Sequence, residues 1–230
     1  MLKYSGTDNL EIMAEAVNYN KFLLGLLCKF AVNSKNIVDF GAGIGTFANA
    51  MWKNGFFVHC IETDEIQSRF IESQGLPVKS SLLSLGLNQI DFIYALNVLE
   101  HIEDDGAVLR QMHLSLVPGG FVFIYVPAFE ILFSSMDYKV GHFRRYTKKD
   151  LIEKLQSANF IIEDAQYGDS AGFIAALAFR FINNGSGQLN KRTLIFYDRI
   201  IFPISRLCDQ IFHNLFGKNV WVLARKPDFI

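Results

Sequence analysis

Residues 37–48 read IVDFGAGIGTFA, and this stretch decides how the rest of the chain is interpreted. An apolar pair leads to Asp39 and then to three glycines at alternate positions, Gly41, Gly43 and Gly45, before a helical pattern begins. Glycine is needed where the backbone takes a positive φ or lies against a ligand, and a helix N-terminus offers unpaired N–H groups. The stretch therefore predicts a strand, a tight glycine loop and a helix start, with a nucleotide-like ligand at the loop.

The spacing of the glycines indicates which ligand the loop suits. Dinucleotide-binding loops read G-x-G-x-x-G, with the pyrophosphate on the helix N-terminus, whereas this loop reads G-x-G-x-G. The carboxylate of Asp39 would repel a pyrophosphate, but it suits a ligand with an ammonium group, such as the amino-acid end of S-adenosylmethionine. A plain strand-to-helix turn without a ligand is the alternative at this point.

Three further landmarks follow the loop in order, and together they carry a family resemblance. They are Glu62 at the end of an apolar run, ALNVLEHI at residues 95–102, and LVPGG at residues 116–120. In this order they resemble the class I S-adenosylmethionine-dependent methyltransferases, over residues 36–168 and 217–227. The resemblance implies S-adenosylmethionine as cofactor and S-adenosylhomocysteine as product, and it assigns Ala42 and the three glycines to the cofactor.

Length and composition favour one domain over residues 1–230 and exclude several classes of partner. The chain has 230 residues, 50% of them hydrophobic, and a net charge of −1, which is enough for a single sizeable core. Near-neutral charge without a long Lys/Arg run argues against nucleic acid as a partner. Three scattered cysteines indicate neither a disulfide framework nor a metal site. Without a signal peptide or spanning segment, a cytoplasmic protein is expected.

Hydrophobic periodicity predicts an alternation of strands and helices, and hence an α/β doubly wound sheet. The resemblance implies a Rossmann-like sheet of seven mostly parallel strands, the last of them antiparallel. Residues 1–34 are predicted to form an N-terminal helical segment whose helix covers 10–30. The predicted strands are 36–40, 56–61, 76–79, 91–97, 121–126, 160–167 and 219–225, and the predicted helices are 46–54, 66–73, 104–116 and 147–159.

Glu62 ends the second predicted strand, about 20 residues after the glycine loop. Ligands of open parallel sheets bind beyond the carboxyl ends of the strands, where a carboxylate can accept hydrogen bonds from both ribose hydroxyls. The resemblance places the ribose acid here, with Thr63 beside it at the cofactor. Asp64 or Glu65 is expected only to cap the next helix. The adenine contact, after the third strand, stays unassigned.

The run ALNVLEHI follows the fourth strand, where the family passes beneath the reactive methyl group. The resemblance places Asn97 near the sulfonium, and His101 could act as a general base or merely cap the next helix. Some quinone methyltransferases of this family hold a divalent metal here through two glutamates and a histidine. Asn97 stands at the first of those positions, and Glu100 with His101 makes a poor site, so no metal is predicted.

The string GHFRRY at residues 141–146 recurs in a subgroup of these methyltransferases. Two guanidinium groups beside a histidine suit an anionic substrate, so Arg144, Arg145 and Tyr146 are predicted to bind substrate. His142 is the second candidate for the general base. The alternative is a solvated basic turn before the next helix.

About fifty residues separate the sixth and seventh strands. Within this insertion, 170–216, Ile200, Ile204, Leu207, Ile211 and Leu215 fall on one helical stripe, while Arg199, Arg206, Asp209 and His213 face away. Pro203 interrupts or begins a helix. Packing as a lid, contact with a membrane or a lipid-linked substrate, and a homodimer surface all remain open.

The function predicted from these observations is methyl transfer from S-adenosylmethionine to a small-molecule or lipid-linked acceptor, most simply at oxygen. The sulfonium is already a good leaving group, so the protein mainly aligns the reactants and excludes water. A non-catalytic relative that binds the donor as a scaffold is one alternative, and a nicotinamide-dependent oxidoreductase is another.

Overall fold

Strands and helices alternate along most of the chain. The computed structural model describes residues 13–182 and 191–228. Its strands are β1 (Ile37–Phe40), β2 (Val58–Ile61), β3 (Val78–Lys79), β4 (Ile90–Leu96), β5 (Leu116–Pro127), β6 (Ile161–Gly168) and β7 (Asn219–Arg225). Within the described residues these form one seven-stranded sheet in the order β3-β2-β1-β4-β5-β7-β6. β1 to β5 pair in parallel, and β7 is antiparallel to β5 and β6, which confirms the predicted fold.

Helices cover both faces of the sheet. They are α1 (Val17–Phe30), α2 (Thr46–Lys53), α3 (Glu65–Ser73), α4 (Asp105–Ser115), α5 (Ser135–Val140), α6 (Lys148–Ser157), α7 (Ser170–Ile182), α8 (Lys191–Phe196) and α9 (Phe202–Phe212). Short 3-10 turns lie at Leu82–Leu85, Leu99–His101 and Glu130–Leu132.

Successive residues of the central strands enter cores on opposite faces of the sheet. Ile37 and Phe92 pack in the core that includes Leu23 of α1, whereas Val38 and Ile93 pack in the core with α4 and α6. A strand covered on both faces carries a continuous apolar run, which is the pattern of β1 and β4. The carboxyl ends of the parallel strands therefore lie together at one edge, where the loops are free to form a site.

Two predicted elements differ from the structure. The described part of the predicted helix 10–30 is helical at residues 13–14 and again at Val17–Phe30, with a break at Glu15 and Ala16; residues 10–12 lie outside the described part. β5 begins at Leu116 rather than at 121, so it includes the Pro-Gly-Gly segment at residues 118–120. The pairing of β4 with β5 shifts register between Ile90 and Phe92, so the strand absorbs that segment as a bulge.

The insertion is helical, as predicted, but its polar side is the buried one. A π turn at Tyr197–Ile201 joins α8 to α9 without a break, and Pro203 lies in the first turn of α9. Asp198 and Asp209 are almost completely buried, while the aliphatic stripe of α9 is exposed. No helix among the described residues is long and apolar enough to cross a membrane.

Candidate active site

The glycine loop connects β1 to α2 and is held between the ends of two neighbouring strands. Gly41, Gly43 and Gly45 all have positive φ angles, of 76°, 58° and 76°. The N–H of Gly41 donates to the Ile61 carbonyl over 2.8 Å, and a Cβ added at Gly41 would lie 2.6 Å from the Val98 side chain. The loop therefore requires glycine for its backbone conformation and for its close approach to the segment after β4.

Glu62 follows β2 and ties the glycine loop to its own turn. Its Oε2 accepts the N–H of Gly43 over 2.8 Å, and its Oε1 accepts the N–H groups of Thr63 and Asp64 over 2.7 and 2.9 Å. A carboxylate offers about four lone-pair sites, so Oε2 retains one for a further donor. Asp64 caps α3 through the N–H groups of Ile66 and Gln67, as expected.

Asp39 lies in β1, directly before the loop, and is 4% exposed. Burial raises the pKa of its carboxyl to about 7; the neighbouring Tyr94 side chain opposes that rise, and the charge of Glu62 adds to it. A carboxyl with this pKa is half-charged at neutral pH, so a cationic ligand beside it would draw it into the charged form. Ala42 lies in the loop itself, and its N–H also donates to the Ile61 carbonyl.

Asn97 occupies the end of β4 with a φ of 54°, and its N–H donates to the Tyr125 carbonyl over 2.8 Å. A positive φ outside glycine is uncommon and often marks a functional edge. Tyr19 of α1 reaches the same place. Burial raises the pKa of its phenol to about 12, although the neighbouring side chains of Asn97 and Tyr125 lower it in part. Sequence analysis did not single out Tyr19, because it lies within an ordinary amphipathic helix.

His142 lies in a cluster of acids just beyond Asn97. Its Nδ1 is 2.7 Å from Oδ1 of Asp137, and its Nε2 is 3.9 Å from Oε1 of Glu100. Its ring centroid lies 4.5 Å from that of His101, and the Phe143 N–H donates to the Glu100 carbonyl over 2.8 Å. The segment after β4 and the GHFRRY segment are thus brought together. The sequence analysis named both histidines as candidate bases but did not predict that they contact each other.

The charges in this cluster are set by burial and by one another. Burial raises the pKa of Glu100 to about 8 and lowers that of His101 to about 4, with help from His142. Burial also acts to raise the pKa of Asp137, but hydrogen bonds from His142 and Arg145 outweigh it and hold the pKa well below its usual range. Near neutral pH, Asp137 is therefore charged, while Glu100 and His101 are neutral.

Asp137 is the main residue of this cluster that the sequence analysis missed. It stands in α5, where Ser134 and Asp137 form a capping box. The Ser-x-x-Asp spacing was visible in the sequence, but it indicates a helix start and says nothing about a histidine five residues later.

Arg144, Arg145 and Tyr146 all make contacts within the protein. Arg145 grips Asp137 with two nitrogens, over 2.9 and 3.1 Å, and Arg144 lies 3.1 Å from Asp105. The Tyr146 hydroxyl donates to the same Asp105 over 2.8 Å. Substrate binding by these residues remains a prediction, and any anion would have to share the guanidinium groups with the two carboxylates.

A metal site is possible on donor type alone. Glu100, His101 and His142 offer ligand atoms that lie within 4.8 Å of one another, whereas the prediction of no metal considered only the first two. Both oxygens of Glu100 are buried without a hydrogen-bond partner in the described structure, but the positive charge of Arg145 already acts on this carboxyl. The prediction of no required metal stays a prediction.

Comparison with known proteins bears on both the fold and the reaction. The sequence model of a family described as methyltransferase domain matches residues 14–165. A ubiquinone biosynthesis O-methyltransferase of Caulobacter vibrioides is 30% identical in a 98-position alignment that covers 38% of this chain and 39% of that protein. The match thus spans about two fifths of the length of this curated relative.

Among solved structures, a SAM-dependent methyltransferase from Archaeoglobus fulgidus superposes with a TM-score of 0.61 at 15% identity, over 90% of this chain and 94% of that one. A geranyl diphosphate C-methyltransferase from Streptomyces coelicolor A3(2) gives 0.62 at 10% identity, over 90% and 79%. At these identities the likeness concerns the fold.

Proposed function

The chain belongs to the methyltransferase-domain family, among the class I S-adenosylmethionine-dependent methyltransferases, and on this premise we propose that it methylates a hydroxyl oxygen of a small-molecule or lipid-linked acceptor. The observation that carries the choice of oxygen is the Asp137–His142 pair, because a hydroxyl needs a base and a sulfonium methyl donor does not supply one. The partial likeness to an O-methyltransferase supports the same choice.

The residues at the strand ends suit the donor. Bound there, S-adenosylmethionine supplies an electrophilic methyl group on a sulfonium. Gly41, Gly43 and Gly45 keep side chains out of its place, and Glu62 accepts one ribose hydroxyl through the free lone pair of Oε2. Asp39 supplies a negative charge for the ammonium group. Thr63 and Asn97 are the other residues proposed to line the cofactor site.

His142 is the proposed general base. Since Asp137 is charged and lies 2.7 Å from Nδ1, that nitrogen carries the ring hydrogen, and Nε2 keeps its lone pair for the acceptor. As the acceptor oxygen forms its bond to the methyl carbon and the carbon–sulfur bond breaks, Nε2 takes the hydroxyl proton. Asp137 then stabilises the imidazolium. The products are a methyl ether and S-adenosylhomocysteine.

His101 packs against the proposed base, His142. Its low pKa keeps it neutral, so it adds no charge beside the imidazolium and can accept a hydrogen bond from the acceptor. Arg144, Arg145 and Tyr146 form the far wall of the proposed acceptor site. Arg144 is the more exposed of the two arginines, with 29% of its side chain accessible against 12% for Arg145. It is therefore the arginine proposed to contact an anionic group of the acceptor.

The test follows labelled methyl from S-adenosylmethionine into hydroxyl compounds extracted from cells with organic solvent, with the product identified as a methyl ether by mass spectrometry. His142→Gln should lower turnover by roughly 10²–10⁴-fold and leave the affinity for S-adenosylhomocysteine within about twofold. Phe143→Ala, at an exposed neighbouring side chain, is the matched control.

Unchanged turnover in His142→Gln would show that the base lies elsewhere. Binding of the donor product without turnover on any extract would favour the scaffold alternative. Label recovered as an N-methyl or C-methyl product would contradict the choice of oxygen.

A further inference from the structure

The outer side of α8, the π turn and α9 carries an uninterrupted apolar stripe, called here the outer face. Its side chains recur every three or four residues, as one side of a helix requires. Each is between 50% and 72% exposed. From the first member to the fifth, the face is about 22 Å long at 1.5 Å per residue. The members are Phe196, Ile200, Ile204, Leu207, Ile211 and Leu215.

The inner side of the same segment carries the acids, which is the reverse of an ordinary surface helix. Asp209 accepts the N–H groups of Asp169 and Ser170 over 3.0 and 2.8 Å and so caps α7. Asp198 accepts the N–H groups of Asn18 and Tyr19, each over 2.9 Å, and so caps α1. Both carboxylates therefore cap helix N-termini, where a negative charge is most favourable.

As a result, the insertion presents little accessible negative charge. Residues 169–218 contain six Lys and Arg and only three Asp, and Asp169, Asp198 and Asp209 are each at most 3% exposed. Two of the cations already have acid partners, because Lys191 lies 2.7 Å from Glu15 and Arg206 lies 2.7 Å from Asp209. Arg199 is exposed directly beside Ile200. The chain as a whole has a net charge of −1, so this polarity is local to the insertion.

We propose that the outer face docks on the surface of a lipid bilayer that contains anionic lipid, an inference that rests on the lipid-linked acceptor of the proposed function. Aliphatic side chains of such a helix enter the boundary between headgroups and acyl chains, and flanking cations pair with anionic headgroups. A second copy of this chain fits less well, because pairing two outer faces would bring the positive charge of Arg199 from both copies into one apolar interface.

Two contacts connect the helices that carry the outer face to the candidate site. Asp198, on the inner side of the π turn, holds the first turn of α1, whose Tyr19 reaches Asn97. Phe173 of α7 packs 5.2 Å from Phe129, which follows β5 with a φ of 60°. A helix layer resting on the bilayer would therefore place the acceptor side of the site near the lipid.

The experiment is flotation of the purified full-length chain with vesicles, measured without donor or acceptor. Vesicles of phosphatidylcholine alone are compared with vesicles containing about one third phosphatidylglycerol. The wild type should float with the anionic vesicles, more weakly at high salt, and little with the neutral ones. The double variant Leu207→Glu/Ile211→Glu should lose at least tenfold in bound fraction.

Ile66→Glu is the matched control, since Ile66 is as exposed as Leu207 but lies on α3; it should float like the wild type. Calorimetry with S-adenosylhomocysteine on the double variant separates misfolding from lost docking, and failure of that binding in the wild type would concern the proposed function instead. Equal flotation of the double variant, or no flotation of the wild type, would overturn the proposal. So would a lipid-free dimer that the double variant abolishes.

Discussion

At the scale of single residues, Glu62 has a structural role that does not depend on a ligand. It accepts backbone N–H groups from both the glycine loop and its own turn, so it sets the shape of the cofactor site as well as contributing to it. Position after the second strand was enough to single it out. The three backbone hydrogen bonds were not predictable, because they depend on how closely two loops approach.

Glu62→Ala should weaken binding of S-adenosylhomocysteine by roughly 10–100-fold, since a hydrogen bond to a charged group contributes about 1.5–3 kcal/mol. The chain should still fold. Calorimetric titration measures the change. Glu65→Ala is the control, because that carboxylate is exposed and pairs only with Arg69; equal affinities for both variants would move the ribose contact elsewhere.

Asp39 predicts a pH dependence of cofactor binding. Its pKa of about 7 without ligand means that the carboxyl must lose its proton before it can pair with an ammonium group. Affinity for S-adenosylhomocysteine should therefore fall by roughly tenfold for each pH unit below 7. The comparison ligand is 5′-methylthioadenosine, which lacks the amino-acid end and should bind equally at pH 6 and pH 8. Parallel pH profiles of the two ligands would refute the role of Asp39.

Glu100 predicts a pH dependence of stability. Its pKa rises from 4.5 to about 8 on folding because of burial, so the unfolded chain loses this proton first as the pH increases. The contribution of Glu100 to the free energy of unfolding should therefore decline between about pH 4.5 and pH 8, by at most roughly 1.4 kcal/mol per pH unit. Glu100→Gln should lack that decline, as measured by urea unfolding across the range. Parallel curves for the two proteins would contradict the assignment.

At the scale of elements, local sequence patterns predicted which strands and helices exist better than they predicted which side of a helix is buried. Seven strands were expected and seven are found among the described residues, because buried strands carry long apolar runs. The orientation of α9 was not predictable. Its stripe has the spacing of a core-facing helix, and only the distant N-termini of α1 and α7 explain why the carboxylates point inward instead. The approach of His142 to Glu100 was not predicted for the same reason, since it joins residues far apart along the chain. Asp137 lies only five residues before His142, but its spacing from Ser134 indicates a helix start alone.

The glycine loop gives the prediction at this scale. Gly43→Val should abolish binding of S-adenosylhomocysteine, because the side chain would occupy the ligand's place and the φ of 58° disfavours a β-branched residue. Gly55→Ala separates these two effects, since Gly55 also has a positive φ of 87° but has open space around it and ends α2. That control should lose some stability, on the order of 1 kcal/mol, and keep its affinity. Wild-type affinity in folded Gly43→Val would refute the loop's role.

At the scale of the whole molecule, one edge of the sheet gathers the glycine loop, Glu62, Asn97 and the histidine cluster, while the insertion gives one side a distinct polarity. The order of motifs along the sequence was sufficient to predict the fold, because parallel strands place their carboxyl ends together. It could not identify the acceptor, since the proposed acceptor side is built from α1, the segment after β5 and the insertion, which meet only in three dimensions.

The central claim is that this edge binds S-adenosylmethionine, and calorimetric titration with S-adenosylhomocysteine, with NADH as the comparison, tests it most directly. We expect S-adenosylhomocysteine to bind at one site with a dissociation constant in the micromolar range and NADH to give no binding heat. Binding of NADH without binding of S-adenosylhomocysteine would contradict the account.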